Sequence, residues 1–138
     1  FVDANTGYFE HGADVGVFGR GPDPQVAFQR VAKAMFALMT DPARVEAHNS
    51  IAVEFDEPDL ELALVTWLNL LLSHAADRGL ALAHFALERA GSHWKGMAWG
   101  EPWRNGLERG TGVKGATLTM LSVKQDGGAW DARCVVDV

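Results

Sequence analysis

Apolar residues recur along this chain with two different periods, and the changes of period mark its elements. Val15, Val17 and Phe18, set among Gly16 and Gly19, predict a short strand with close backbone neighbours. Gly21-Pro22-Asp23-Pro24 breaks that run. Asp23 stands where an N-cap belongs and Pro24 at the first helical position, and Phe28, Val31, Ala32, Met35, Phe36 and Met39 follow at the three-and-four spacing of one buried helical face. Thr40-Asp41-Pro42 ends the helix. Ile51, Val53 and Phe55 then alternate with Ala52 and Glu54, the period of a half-buried strand.

A second helix is predicted over 59–78. Leu60, Leu64, Trp67, Leu68, Leu71 and Ala75 form its stripe, and Leu62, Val65, Leu70 and Leu72 widen it until the helix must lie across a sheet. Gly79 closes it. Residues 83–90 and 93–101 flank Gly91-Ser92 as a hairpin, with Trp94, Met97 and Trp99 expected to be packing residues. The irregular stretch 102–110 is long enough to be functional or mobile. Past Val113, residues 120–124 and a last strand turn about Gln125-Asp126-Gly127-Gly128; there Trp130, Ala132, Cys134, Val136 and Val138 share one face, while Asp131, Arg133, Val135 and Asp137 share the other. This order predicts an α+β fold, two helices packed on a mainly antiparallel β-sheet, as a single domain over 1–138.

Composition narrows the classes. A hydrophobic content of 48% in 138 residues supports one ordinary core without need of a second domain. No apolar run reaches the roughly 18 residues of a membrane span, and no secretion signal is recognisable. Cys134 is the single cysteine, which excludes an internal disulfide and suits a reducing cytoplasm. A net charge of −6 with no block of Lys and Arg argues against strong nucleic-acid binding by this chain alone, and favours a basic protein partner.

The candidate chemistry lies near the start. Glu10-His11-Gly12-Ala13-Asp14 places two acids and a histidine at the edge of a buried strand, and the far end of the chain brings Asp137. Polar groups in such a place either bind something or cap a turn. Thr66-Trp67-Leu68-Asn69 reads as core around an inward Trp, and His74 and His84 as partly exposed histidines. No phosphate-binding glycine loop, nucleophile elbow or paired cysteines are present.

Phe9-Glu10-His11-Gly12-Ala13-Asp14-Val15-Gly16 resembles the N-terminal signature of the archease family. Ala37-Leu38-Met39-Thr40-Asp41-Pro42, Val65-Thr66-Trp67-Leu68-Asn69, Gly100-Glu101-Pro102, Gly112-Val113-Lys114 and Val135-Val136-Asp137-Val138 resemble it in type and order, so the likeness runs nearly the full length. Three positions depart: Gly12 where Thr is usual, Thr66 where an acid is common, and Leu118-Thr119 in place of Tyr-His.

The resemblance implies a non-catalytic accessory protein of an RtcB-type RNA ligase, the GTP- and metal-dependent enzyme that joins 3′-phosphate to 5′-hydroxyl RNA ends. Archeases promote guanylylation of that ligase and its repeated turnover in tRNA splicing and RNA repair. The resemblance further implies a divalent cation, Ca²⁺ with Mg²⁺ or Mn²⁺ as alternatives, held by Asp14, Asp137 and Val138. Glu10, His11 and Lys114 are then expected to face the partner. Carboxylates suit such a hard cation, whereas the imidazole of His11 suits transition metals and is expected beside the ion. Two other classes stay open: a chaperone or modulator of an RNA-modifying enzyme such as a tRNA methyltransferase, and a metal-dependent phosphoesterase using His11, Asp14 and Asp137.

Overall fold

The computed structural model describes residues 5–11 and 13–138, and the side chains of these except Glu10 and His11. In chain order it contains β1 (Thr6–His11), β2 (Asp14–Gly21), α1 (Pro24–Ala37), a 3-10 turn (Pro42–Arg44), β3 (Asn49–Asp56), α2 (Leu60–Arg78), β4 (Leu80–Ala90), β5 (His93–Pro102), β6 (Gly115–Ala116), β7 (Ser122–Asp126) and β8 (Ala129–Asp137). The α+β class holds, and the strand pairs are antiparallel. The strands divide, however, into two sheets: β1-β2-β8 with both β6 and β7 along the far edge of β8, and β3-β5-β4. Among the described residues no helix is long and apolar enough to cross a membrane.

The division follows from how widely α1 is apolar. Ala27 and Ala34 are buried beside the expected Phe28, Val31, Ala32, Met35 and Phe36, so more than one face of the helix is covered. It packs on β1, β2 and β8 of one sheet and on β4 of the other. Local chemistry sets its ends: Asp23 accepts the Val26 N–H at 2.9 Å, and the last helical residue is Ala37, which leaves Met39 half-buried in the connection beyond it. In α2, Asp59 accepts the Leu62 N–H at 3.0 Å, and Gly79 closes the helix at φ 63°, a left-handed conformation that costs glycine little.

Glycines admit the close contacts of the core. A Cβ on Gly19 would lie 2.4 Å from the Ala27 carbonyl oxygen, so α1 rests directly on the backbone of β2. Trp67 lies over Gly96 of β5 in the same way and donates its indole N–H to the Phe28 carbonyl at 3.1 Å. Trp94 is stacked between Phe28 and Phe55, with ring centroids 5.2 and 5.9 Å away. Burial also pushes the Cys134 thiol up to about 12, the behaviour of a core cysteine.

Two packing expectations change. Met97 is 38% exposed, because strand alternation turns it to the outer face of the β3-β5-β4 sheet, away from Trp94. Val135, expected among polar neighbours, is buried. The 117–119 segment hydrogen-bonds along it, the Thr117 N–H reaching the Val135 carbonyl at 3.0 Å and the Val135 N–H reaching the Thr119 carbonyl at 3.1 Å.

The irregular stretch is anchored. Leu107 is buried with Val45, Ala81 and Ala83. Gly110 and Thr111 donate their N–H groups to the carbonyls of Met39 and Leu38 at 2.7 and 2.8 Å, satisfying acceptors just beyond α1. Buried Glu101 accepts Arg104 Nε at 2.6 Å and the Glu46 N–H at 2.7 Å, which ties this stretch to the segment before β3. The chain therefore arrives at Lys114 along a fixed path.

Candidate metal and partner site

Strand register assembles the site. β1 and β2 are separated in sequence by residues 12 and 13, and their pairing ends with His11 opposite Asp14. β2 pairs with β8 so that Val15 lies opposite Val136; carried one residue outward, the same register sets Asp14 opposite Asp137. On the other edge of β8, Asp137 pairs with Gly115 of β6, and the Lys114 N–H donates to the Asp137 carbonyl at 2.7 Å. One transverse row of the sheet thus reads His11, Asp14, Asp137, Gly115. Segments far apart in the sequence meet in it.

Directly opposed positions on antiparallel strands bring their Cβ atoms to roughly 4.5–5.5 Å. Like charges at directly opposed positions of a strand pair are destabilising. Asp14 is half-buried and Asp137 exposed, so the pair opens to water at the sheet end. Val138, half-buried, follows immediately, and Lys114, just before β6, is exposed. The side chains of Glu10 and His11 lie outside those described.

The donor set fits a hard cation. Asp14 and Asp137 offer carboxylate oxygens from two strands, and the remaining places in a shell of six to eight oxygens (the usual range for Ca²⁺) fall to water and carbonyl groups. Among the described residues no group of three or more His, Cys, Asp or Glu side chains is gathered closely enough to enclose an ion by itself. The arrangement is an open acidic pair and not a closed cage.

Asn69 is a residue whose part the sequence did not reveal. Its Oδ1 accepts the Ala116 N–H at 2.9 Å and its Nδ2 donates to the Ala116 carbonyl at 3.4 Å. An α2 side chain thus does for β6 what a neighbouring strand would do. Its signals were an amide two residues from a core tryptophan and a place in the Val65–Asn69 motif, neither of which says which backbone it grips.

The sequence profile of the archease protein family (MTH1598/TM1083) matches residues 7–138, so nearly the whole chain carries the pattern. The chain belongs to the archease family. Curated relatives named Protein archease include one from Sulfurisphaera tokodaii, 32% identical over 95% of this chain and 96% of the relative. Another, from Methanothermobacter thermautotrophicus, is 32% identical over the same shares. Among solved structures, the solution structure of Methanobacterium thermoautotrophicum protein 1598 superposes with a TM-score of 0.81 at 30% identity, covering 97% of this chain and 99% of that one. The crystal structure of an archease from Thermotoga maritima, described as a possible chaperone, has a TM-score of 0.64 at 17% identity over 94% of each chain and shares the fold. The archease strand arrangement thus frames the acidic row.

Proposed function

We propose that this chain is a non-catalytic accessory protein that binds a divalent cation, Ca²⁺ first among the candidates, and promotes guanylylation of an RtcB-type RNA ligase. The observation that carries the reading is the acidic row: Asp14 and Asp137, remote in sequence, fall opposite one another beside Lys114. Family membership supports it.

In this reading Asp14 and Asp137, with Val138 beside them, hold the cation at the sheet end. A bound divalent cation supplies positive charge against phosphoryl oxygens, a large part of catalysis in phosphoryl transfer. Lys114 adds a mobile cation just before the neighbouring strand, and Asn69 fixes the backbone from which it projects. The chain's own acidity suits docking against a basic rim of the ligase.

The test is guanylylation of the cognate ligase by GTP with and without this protein. Addition is expected to speed the reaction, and Asp137→Ala and Lys114→Ala are each expected to abolish the gain while circular dichroism shows the fold intact. Stimulation by both variants equal to wild type would reject the surface.

A second reading, a chaperone or modulator of an RNA-modifying enzyme such as a tRNA methyltransferase, draws on the outer face of the β3-β5-β4 sheet. There Ala52, Met97 and Trp99 line an open groove of about 440 Å³. Suppressed aggregation of that enzyme without any change in ligase guanylylation would favour it.

A further inference from the structure

The face that carries the acidic row has a second, oppositely charged end. Side chains two residues apart on a strand share a face, so Arg20 and Asp14 of β2 lie on one side of the sheet, together with Asp131, Arg133 and Asp137 of β8. Register lines up Arg20, Asp131 and Lys124 in one row and Phe18, Arg133 and Ser122 in the next. At about 3.4 Å per residue, these rows stand roughly 20 and 14 Å, respectively, from Asp137.

Arg20, Lys124 and Arg133 come from three strands and border a groove of about 650 Å³. Asp131, only 13% exposed, organises them: it accepts Arg133 Nε at 2.9 Å and Nη2 at 3.0 Å, with Arg20 Nη1 at 3.6 Å. A guanidinium has five N–H donors, so Arg133 retains three and its fork is already oriented. The Lys124 ammonium has no hydrogen-bond or ion-pair partner among the described residues. Asp126 also borders the groove, which leaves three cations against two acids on a chain whose net charge is −6.

The wall beside these cations is made by Met120 and Leu121. Among the described residues Met120 is the one non-glycine residue at positive φ, 53°, and it is 51% exposed. It is the third residue of a turn closed by the Leu121 N–H on the Leu118 carbonyl at 3.3 Å, and that turn holds its side chain at the rim of the groove.

We propose that this groove binds a phosphate group. The oriented Arg133 guanidinium, a second guanidinium from Arg20 and the Lys124 ammonium match its several acceptor oxygens, whereas a carboxylate ligand would leave donors unused. The phosphate comes either from a single-stranded RNA or from free phosphate and pyrophosphate. The site is independent of the cation pair and does not rest on the ligase reading.

Titration of the isotopically labelled full chain with sodium pyrophosphate, and separately with a ten-nucleotide oligouridylate, tests it by backbone amide shifts. Both probes are expected to move Ser122, Lys124 and Arg133. Lys124→Gln, at an exposed site outside the core, is expected to weaken each several-fold, and to lower the salt slope of RNA binding by about 0.7, the value for one phosphate contact on a single strand. Arg20→Gln is expected to act in the same direction. RNA binding well above pyrophosphate assigns the phosphate to a strand, and equal binding assigns it to the free ion. Absence of shifts with both probes, or equal binding by both variants, overturns the proposal, as does a response only to an oligoglutamate peptide. Asp14→Ala should leave phosphate binding intact and Lys124→Gln should leave any Ca²⁺ response intact, so the two sites fail separately.

Discussion

Asn69 and Ala116 are joined by two hydrogen bonds, 2.9 Å from the Ala116 N–H to Oδ1 and 3.4 Å from Nδ2 to the Ala116 carbonyl, although 47 residues separate them. β6 has two residues and lies along β8 on one side, so the amide supplies backbone partners on the other. Asn69→Ala is expected to lower stability by about 1–2 kcal/mol, the scale of lost hydrogen bonds with a buried group left unpaired. Hydrogen exchange at Gly115 and Ala116 should quicken more than at β5. Under the proposed function, ligase stimulation should fall with it, because Lys114 then projects from a looser backbone just before β6.

Opposed acids predict a crossing of signs. Without metal, Asp137→Asn relieves repulsion across the Asp14–Asp137 row and should leave stability unchanged or raise it by up to about 1 kcal/mol. With Ca²⁺ at about 100 times its dissociation constant, wild type should gain about 2.7 kcal/mol by mass action, and the variant should gain far less. Thermal melts with calcium and with chelator measure both halves. Equal calcium stabilisation of the two proteins would place the ion elsewhere.

Gly19 and Gly16 occupy the same strand but tolerate a methyl group differently. At Gly19 the added Cβ meets backbone, the Ala27 oxygen at 2.4 Å and the Val31 nitrogen at 2.6 Å, so α1 itself must move. Gly19→Ala should cost about 1–3 kcal/mol in urea denaturation, as overpacking does. At Gly16 the obstacle is the Phe9 ring, a side chain that can turn aside, and the loss should be smaller.

Stability should depend on pH at both flanks of neutrality. His93 Nδ1 lies 2.7 Å from Asp56 Oδ1 and Nε2 2.7 Å from Glu54 Oε2, and these hydrogen bonds, Asp56 first, raise its pKa above the ordinary 6.5. A raised histidine contributes fully below that ordinary value, and its contribution is lost as pH rises through the folded pKa. His93→Gln should flatten this alkaline-side decline. Glu101 behaves oppositely: Arg104 first, then the Glu46 N–H, hold its carboxyl below the ordinary 4.5. Its contribution is present above that value and is lost as pH falls through the lower folded pKa, so Glu101→Gln should be less stable near neutrality and lose part of the acid-side decline. Denaturant midpoints across pH check both.

Much of the architecture is local and therefore readable from the chain. Asp23 before Pro24, Asp59 before the leucine-rich run, Gly79 after it and Gly127-Gly128 at φ 58° and 85° are helix and turn signals that act within a few residues, and each falls where the pattern predicts. Strand alternation was legible for the same reason: Ile51 and Val53 are buried while Ala52 and Glu54 are exposed. Outcomes that needed long-range packing differed. Met97 faces outward and Val135 is covered because neighbouring strands and the 117–119 segment decide which faces are sealed.

By itself the sequence determined the elements, their caps and the α+β class, because periodicity and turn chemistry are properties of neighbours in the chain, and its motifs carried the resemblance to the family. Only the tertiary structure decided that the strands form two sheets clasping α1, that the register Val15–Val136 brings Asp14 and Asp137 to the same end of the β2–β8 pair, and that Arg20, Lys124 and Arg133 converge from three strands. Those relationships are matters of register. One residue of slip would send every side chain of a strand to the other face, and what fixes the register is packing between segments that lie far apart in the chain.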